Sequence, residues 1–300
     1  MTKFSSALSF CIMLLVLVAC ENPYNPDADG NGQSGQDGSG FNVCFSVSGI
    51  ESPDFVMGSP RTRSVRPVSE VCSRISLAVF NDNGKVKSVL QEVGDKDFGT
   101  VSVALERGDY ELVVIAHNGE GAATVTSPQE IKFKDNKVTD TFYCYRTITV
   151  DGDGTFELTL ERAVAMVRIV VSDNVPQSVN QFRFYYTGGS STFDARNGVG
   201  CVNSRQTELR PVPAAAHEAS SAYEIYTFPH AVSGGELKIT VTALDAAGEQ
   251  VEEHVFEQVP VGIGQITQYT GNFFGASADG GRSDFPVMVN DEWTLYEQTY

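Results

Sequence analysis

The chain has 300 residues, 41% hydrophobic and 20% charged, a composition that can bury a core and excludes disorder along its whole length. Lys and Arg number 21 against 38 Asp and Glu, and a net charge of −17 repels phosphate backbones, which argues against nucleic-acid binding. The 4 histidines are scattered and offer little for a metal centre, while 28 glycines, 18 phenylalanines and 11 tyrosines favour β-structure.

Lys3 opens a short positive region, an apolar run covers residues 8–18, and Leu17-Val18-Ala19-Cys20 closes it. A membrane-crossing helix needs roughly 20 apolar residues. This run is shorter and ends on a small residue followed by cysteine, the pattern of a lipoprotein signal peptide. Residues 1–19 are therefore expected to be removed, leaving Cys20 as a lipidated N-terminus. Each buried acyl CH₂ contributes about 0.8 kcal/mol, so several chains on one residue hold a protein stably on a membrane. Glu21 stands where an inner-membrane retention signal would have aspartate, so the outer membrane is expected, with the protein facing the cell exterior.

Residues 20–40 read as a flexible, solvated linker, because Gly, Asp, Asn, Gln and Ser leave nothing to bury. Gly30-x-Gly32-x-x-Gly35 fits the dinucleotide fingerprint, but no strand precedes it and no helix pattern follows. Asp27-x-Asp29-x-Asn31-Gly32 begins like a calcium loop, yet Gly38 occupies the position of the bidentate glutamate. No cofactor or metal is expected.

From residue 41 the dominant period is two. Phe41, Val43, Phe45 and Val47 alternate with polar neighbours, as do Ile75, Leu77 and Val79, then Val101, Val103 and Leu105, then Leu112 and Val114. Asn83-Gly84, Gly108-Asp109, Asn118-Gly119, Asp135-Asn136 and Asp151-Gly152-Asp153-Gly154 mark turns between them. Short strands at this spacing predict a β-sandwich over residues 41–160. A second set of apolar segments, at 164–171, 181–186, 223–228, 237–244, 251–259 and 263–274, predicts another over residues 161–300.

Several strings could carry chemistry. Asp151-Gly152-Asp153-Gly154-Thr155 after a hydrophobic strand fits a phosphoryl-transfer nucleophile motif, but the alternating segment that follows makes a hairpin turn the better account. Glu252-Glu253-His254 lies in an alternating strand and points to opposite faces. No catalytic residue is assigned. Cys44, Cys72, Cys144 and Cys201 lie beyond Cys20 in an exported chain, where one or two disulfides and buried free thiols are both open. Cys44 could pair with Cys72 or with Cys144. The loop Ser59-Pro60-Arg61-Thr62-Arg63-Ser64-Val65-Arg66-Pro67 is the one basic cluster and offers a trypsin-like cleavage site after Arg61 or Arg63. Near the end, Val287, Val289, Trp293 and Leu295 form a second candidate assembly strand beside the first, or an ordinary last strand.

Glu161-Arg162-Ala163-Val164-Ala165-Met166-Val167-Arg168-Ile169, Phe193-Asp194-Ala195, Tyr226-Thr227-Phe228-Pro229, Val259-Pro260-Val261 and Phe273-Phe274-Gly275 together resemble the FimB-like fimbrial anchor subunits of Bacteroidetes. The resemblance implies two tandem transthyretin-like β-sandwich domains and a role in surface fimbriae joined by donor-strand exchange. It further implies a fimbrial shaft subunit as protein partner and a retained first strand, here residues 41–48. Two other roles compete. Cleavage at Arg61 or Arg63 would make a polymerising shaft or tip subunit, and Tyr185, Tyr186, Tyr223 and Tyr226 could form the stacking surface of a lipid-anchored glycan-binding module. No residue pattern names a host or glycan ligand.

Overall fold

The computed structural model describes residues 40–51, 65–275, 287–291 and 294–297, and the alternating segments are strands. The first half carries β1 (Phe41–Glu51), β2 (Val65–Arg66), a one-turn helix α1 (Val68–Val71), β3 (Arg74–Asn81), β4 (Gly84–Glu92), β5 (Thr100–Leu105), β6 (Gly108–His117), β7 (Thr124–Ser127), β8 (Glu130–Lys132), β9 (Thr141–Val150) and β10 (Gly154–Arg162). The second half carries β11 (Ala165–Val171), β12 (Val179–Thr187), β13 (Thr192–Asp194), β14 (Val199–Gly200), β15 (Gln206–Pro211), β16 (Ser221–Thr227), β17 (Gly235–Asp245), β18 (Gln250–Val261), β19 (Ile266–Gly271), β20 (Val287–Asp291) and β21 (Thr294–Glu297). None of the described helices is long and apolar enough to cross a membrane.

The first sheet runs β2-β1-β10-β9-β6-β3-β4, with β5 on β1. It turns a corner where β9 and β10 meet, because they pair only through Tyr143 with Glu161 and Phe142 with Arg162. Beyond the corner, inward side chains face each other in one core: Val43, Phe45, Val101, Val103, Leu158 and Leu160 from one layer, Leu77, Val79, Leu112, Val114 and Ile148 from the other. Period-two alternation puts those residues on one face, and their burial drives the layers together. The Asp151–Gly154 string does connect two strands, but it is a splayed hairpin whose strands enter different layers.

The second half is a sandwich of sheets β16-β11-β19-β20-β21 and β15-β12-β17-β18. Val167, Ile169, Ile225 and Tyr269 pack from one side against Phe182, Phe184, Ile239, Val241 and Phe256 from the other. The described residues from 40 onward form one compact unit, because a third core and a small sheet tie the halves together. That sheet, β14-β13-β8-β7, takes strands from both halves. Beneath it lie Phe80, Ile115, Ile131, Phe133, Val164, Phe193 and Phe228. The connection Ala163-Val164 between β10 and β11 is itself buried there, so no solvated linker separates the sandwiches.

Candidate assembly site: the first strand and its seat

The alternation of residues 41–47 is matched by burial: Val43 and Phe45 are fully buried, and Phe41 and Val47 pack half-buried against the same core. A strict period of two would turn Ile50 outward. A bulge between Val47 and Gly49 inserts Ser48 as an extra residue, and Ile50 returns to the core fully buried. The Ser48 hydroxyl donates to the Leu158 carbonyl at 3.0 Å, which satisfies the bulge. Burying Val43, Phe45 and Ile50 is worth about 5–9 kcal/mol of gross transfer free energy.

The strand is also held on both edges. Along one it runs parallel to β10, from Val43 opposite Gly154 to Glu51 opposite Glu161. Along the other it runs antiparallel to β5, from Phe41 opposite Leu105 to Ser46 opposite Thr100, and then to β2. The Val47 amide donates to the Gly99 carbonyl at 2.8 Å on the β5 side. The Asn42 amide donates to Asp153 Oδ1 at 2.8 Å on the β10 side, so before the bulge odd-numbered amides face β5 and even-numbered ones face β10. Removing β1 would orphan backbone groups on both neighbours and open an apolar slot between them.

Polar and aromatic contacts hold the N-terminal half of the strand in its seat. Arg107 lies 5.6 Å from the centroid of Phe41 and donates from Nη2 to the Asp151 carbonyl at 2.7 Å. Phe45 stacks on Phe156 with centroids 5.7 Å apart, and Arg146 lies 5.7 Å from the Phe156 ring. Sequence reasoning did not assign Arg107 or Phe156 to this seat and read Asp153 only as a turn residue, whereas all three touch β1 directly. The turn signal at Asp151–Gly154 was visible, but its service to β1 depends on a pairing between distant segments. Asp153 is engaged by the Asn42 amide and sits in a turn between strands of different layers. A phosphoryl-transfer nucleophile would need the end of a parallel α/β sheet, so the motif is a structural turn here.

The other candidates separate. Cys44, Cys72, Cys144 and Cys201 are free thiols in the structure. Cys44 points away from the core that β1 buries, whereas Cys72 is buried at the end of α1 and Cys144 lies on β9 in the opposite layer. Burial pushes the Cys72 thiol well above its ordinary range, with Asp140 adding to the effect. Cys201 is exposed. Tyr186 and Tyr223 are core residues, Tyr226 is half-buried, and only Tyr185 of the four tyrosines is exposed, so they form no common stacking face. Among the described residues no group of His, Cys, Asp and Glu could hold a metal ion. Cys20, Arg61, Arg63 and Trp293 lie outside the described residues.

Val287, Val289 and Leu295 fall on the terminal hairpin: β20 pairs antiparallel with β19, and β21 pairs with β20 as the outermost described strand of that sheet. The opposite edge of the same sheet is sealed. Arg210 donates from Nε to the Glu224 carbonyl of β16 at 3.1 Å and from Nη2 to Glu208 at 2.5 Å. The buried Tyr186 hydroxyl, its pKa raised by burial and by Glu208, donates to Glu208 at 2.5 Å and lies 3.2 Å from the Tyr226 carbonyl. These side chains occupy backbone acceptors that an added strand would need.

A fimbrial anchor protein, Mfa2 from Porphyromonas gingivalis, is similar at 12% identity, with 87% of this chain and 100% of that chain covered and a TM-score of 0.44. A candidate adhesin from Bacteroides ovatus is 8% identical, with 87% and 95% covered and a TM-score of 0.49. A candidate polysaccharide-binding protein from Bacteroides thetaiotaomicron is 11% identical, with 86% and 98% covered and a TM-score of 0.47. No curated protein matches the chain. The family model of the fimbrillin-A associated anchor proteins Mfa1 and Mfa2 matches residues 34–252, and the chain belongs to that family.

Proposed function

We propose that the protein is an outer-membrane lipoprotein, attached through Cys20, that keeps its first strand and fastens the base of a fimbria to the cell surface. The observation that carries this reading is the double pairing of β1, with Val43 and Phe45 fully buried between β10 and β5. A sandwich that fills its own slot cannot receive a neighbour's strand there, and a subunit closed in this way ends a polymer instead of extending it. Because β1 follows the lipid-bearing N-terminus, keeping the strand also keeps the tether.

Joining to a shaft subunit by donor-strand exchange then falls to another segment. The terminal hairpin is our candidate, since β21 lies at a sheet edge while the β16 edge is capped by Arg210 and Tyr186. Deleting residues 291–300 is expected to leave an exported, folded protein that no longer retains fimbriae on cells. Normal retention by that variant would remove the hairpin from the proposal. Cys20→Ala is expected to release fimbriae into the medium, and fimbriae that stay on the cells would contradict the lipid-anchor role.

A further inference from the structure

We infer that β1 and β10 form a shear clamp, a pair of strands whose parallel register makes the sandwich resist pulling along the path from the N-terminus into the second half. The inference rests on the tether role proposed above for its use in the cell, and its geometry rests on the register alone.

A tether transmits force, and the direction in which force meets a ladder decides how many bonds resist it together. Load enters at the N-terminal end of β1, near residue 40, and leaves domain-ward through the C-terminal end of β10 at Arg162, which continues at once into β11. In a parallel pair those two points lie at opposite ends. The pull is then along the strands, and the eight register pairs from Val43–Gly154 to Glu51–Glu161 are loaded together. Sliding β1 out would also break its six antiparallel pairs with β5 and expose Val43, Phe45 and Ile50. The Ser48 bulge opposes sliding further, because a one-residue slip turns every inward side chain outward.

The arrangement recurs in the second half. There β11 runs parallel to β19, from Met166 opposite Ile266 to Val171 opposite Gly271. Their C-terminal ends are pinned by Asp173, whose carboxylate accepts from the amides of Phe273, Phe274 and Gly275 at 2.8 to 2.9 Å. Load passing from β11 to the segment after Gly275 meets a second ladder in shear, in series with the first.

Single-molecule force spectroscopy on the purified chain from Cys20 to Tyr300 tests the clamp without cells or fimbriae. One handle is placed at the N-terminus. The second is attached either at Glu161 or at Thr155, both exposed residues of β10 at opposite ends of the paired stretch. Pulling against Glu161 loads the ladder in shear, whereas pulling against Thr155 peels it from one end. Rupture against Glu161 is expected at a force at least about threefold higher, because eight pairs share the load in place of one or two. Equal forces in the two geometries would overturn the clamp, as would a higher force against Thr155. Loss of surface tethering in cells with the force ratio intact would instead count against the function proposed above.

Discussion

Phe45→Ala is the sharpest probe of the first strand. Phe45 is fully buried in the first sandwich and stacks on Phe156 with centroids 5.7 Å apart. Truncating a buried phenylalanine removes its transfer free energy and leaves a cavity, for about 3–5 kcal/mol. With a urea slope of about 3 kcal/mol per molar, the unfolding midpoint should fall by about 1 M or more. Amides of β10 and β5, which bond to β1 on its two edges, should exchange faster in parallel. Leu90→Ala is the control, because Leu90 is 57% exposed on the edge strand β4 and should change stability by no more than about 0.5 kcal/mol. A loss below about 1 kcal/mol at Phe45, with exchange in β10 and β5 unchanged, would refute the claim that β1 is part of the core.

Three further outcomes follow from single sites. His117 is buried, its Nδ1 accepts the Gly119 amide at 2.9 Å, and its Nε2 has no hydrogen-bond partner among the described residues. Burial, helped by Arg74, lowers its pKa to about 4 from 6.5. The folded state then binds fewer protons than the unfolded one between those values. Stability from this group is full above pH 6.5 and falls as pH drops toward 4, by about 3 kcal/mol in all. His117→Gln should flatten the pH dependence of the urea midpoint in that window, and an unchanged difference between pH 7 and pH 4.5 would contradict it. Gly188 has φ +96°, and a Cβ there would lie 2.3 Å from the Glu236 carbonyl oxygen. Gly188→Ala should therefore cost about 2 kcal/mol or more, read as a lowered melting temperature. In thiol titration of the native protein, the exposed Cys201 should react quickly and the buried Cys72 only on unfolding. Fast labelling of Cys72 in the native state would contradict its burial.

Period-two alternation made β1 legible, because hydrophobic burial on one face is a local property of Phe41, Val43, Phe45 and Val47. Its partners were not legible, because the parallel pairing with β10 joins segments about a hundred residues apart in sequence and leaves no local mark. The Ser48 bulge was hidden for a related reason: it shows only when Ile50, not Gly49, must face the core. The strings β7, β8, β13 and β14 are two to four residues long, too short for a period, and they become strands only because the two sandwiches meet there. Tyr186 and Tyr223 show the limit of composition. An aromatic residue in a strand reads the same whether it faces solvent or core, and both face the core here. Asp153 read as a turn residue, which it is. Its bond to the Asn42 amide came from tertiary structure alone.

An anchor of this kind must keep its lipid and its first strand together. Mass spectrometry of the mature protein taken from intact cells tests that directly. The expected result is a single chain that begins at an acylated Cys20 and runs unbroken through residues 41–51 into the rest of the fold. An N-terminus at Thr62 or Ser64, with no lipid, would contradict it and make the chain a processed shaft or tip subunit with an open slot.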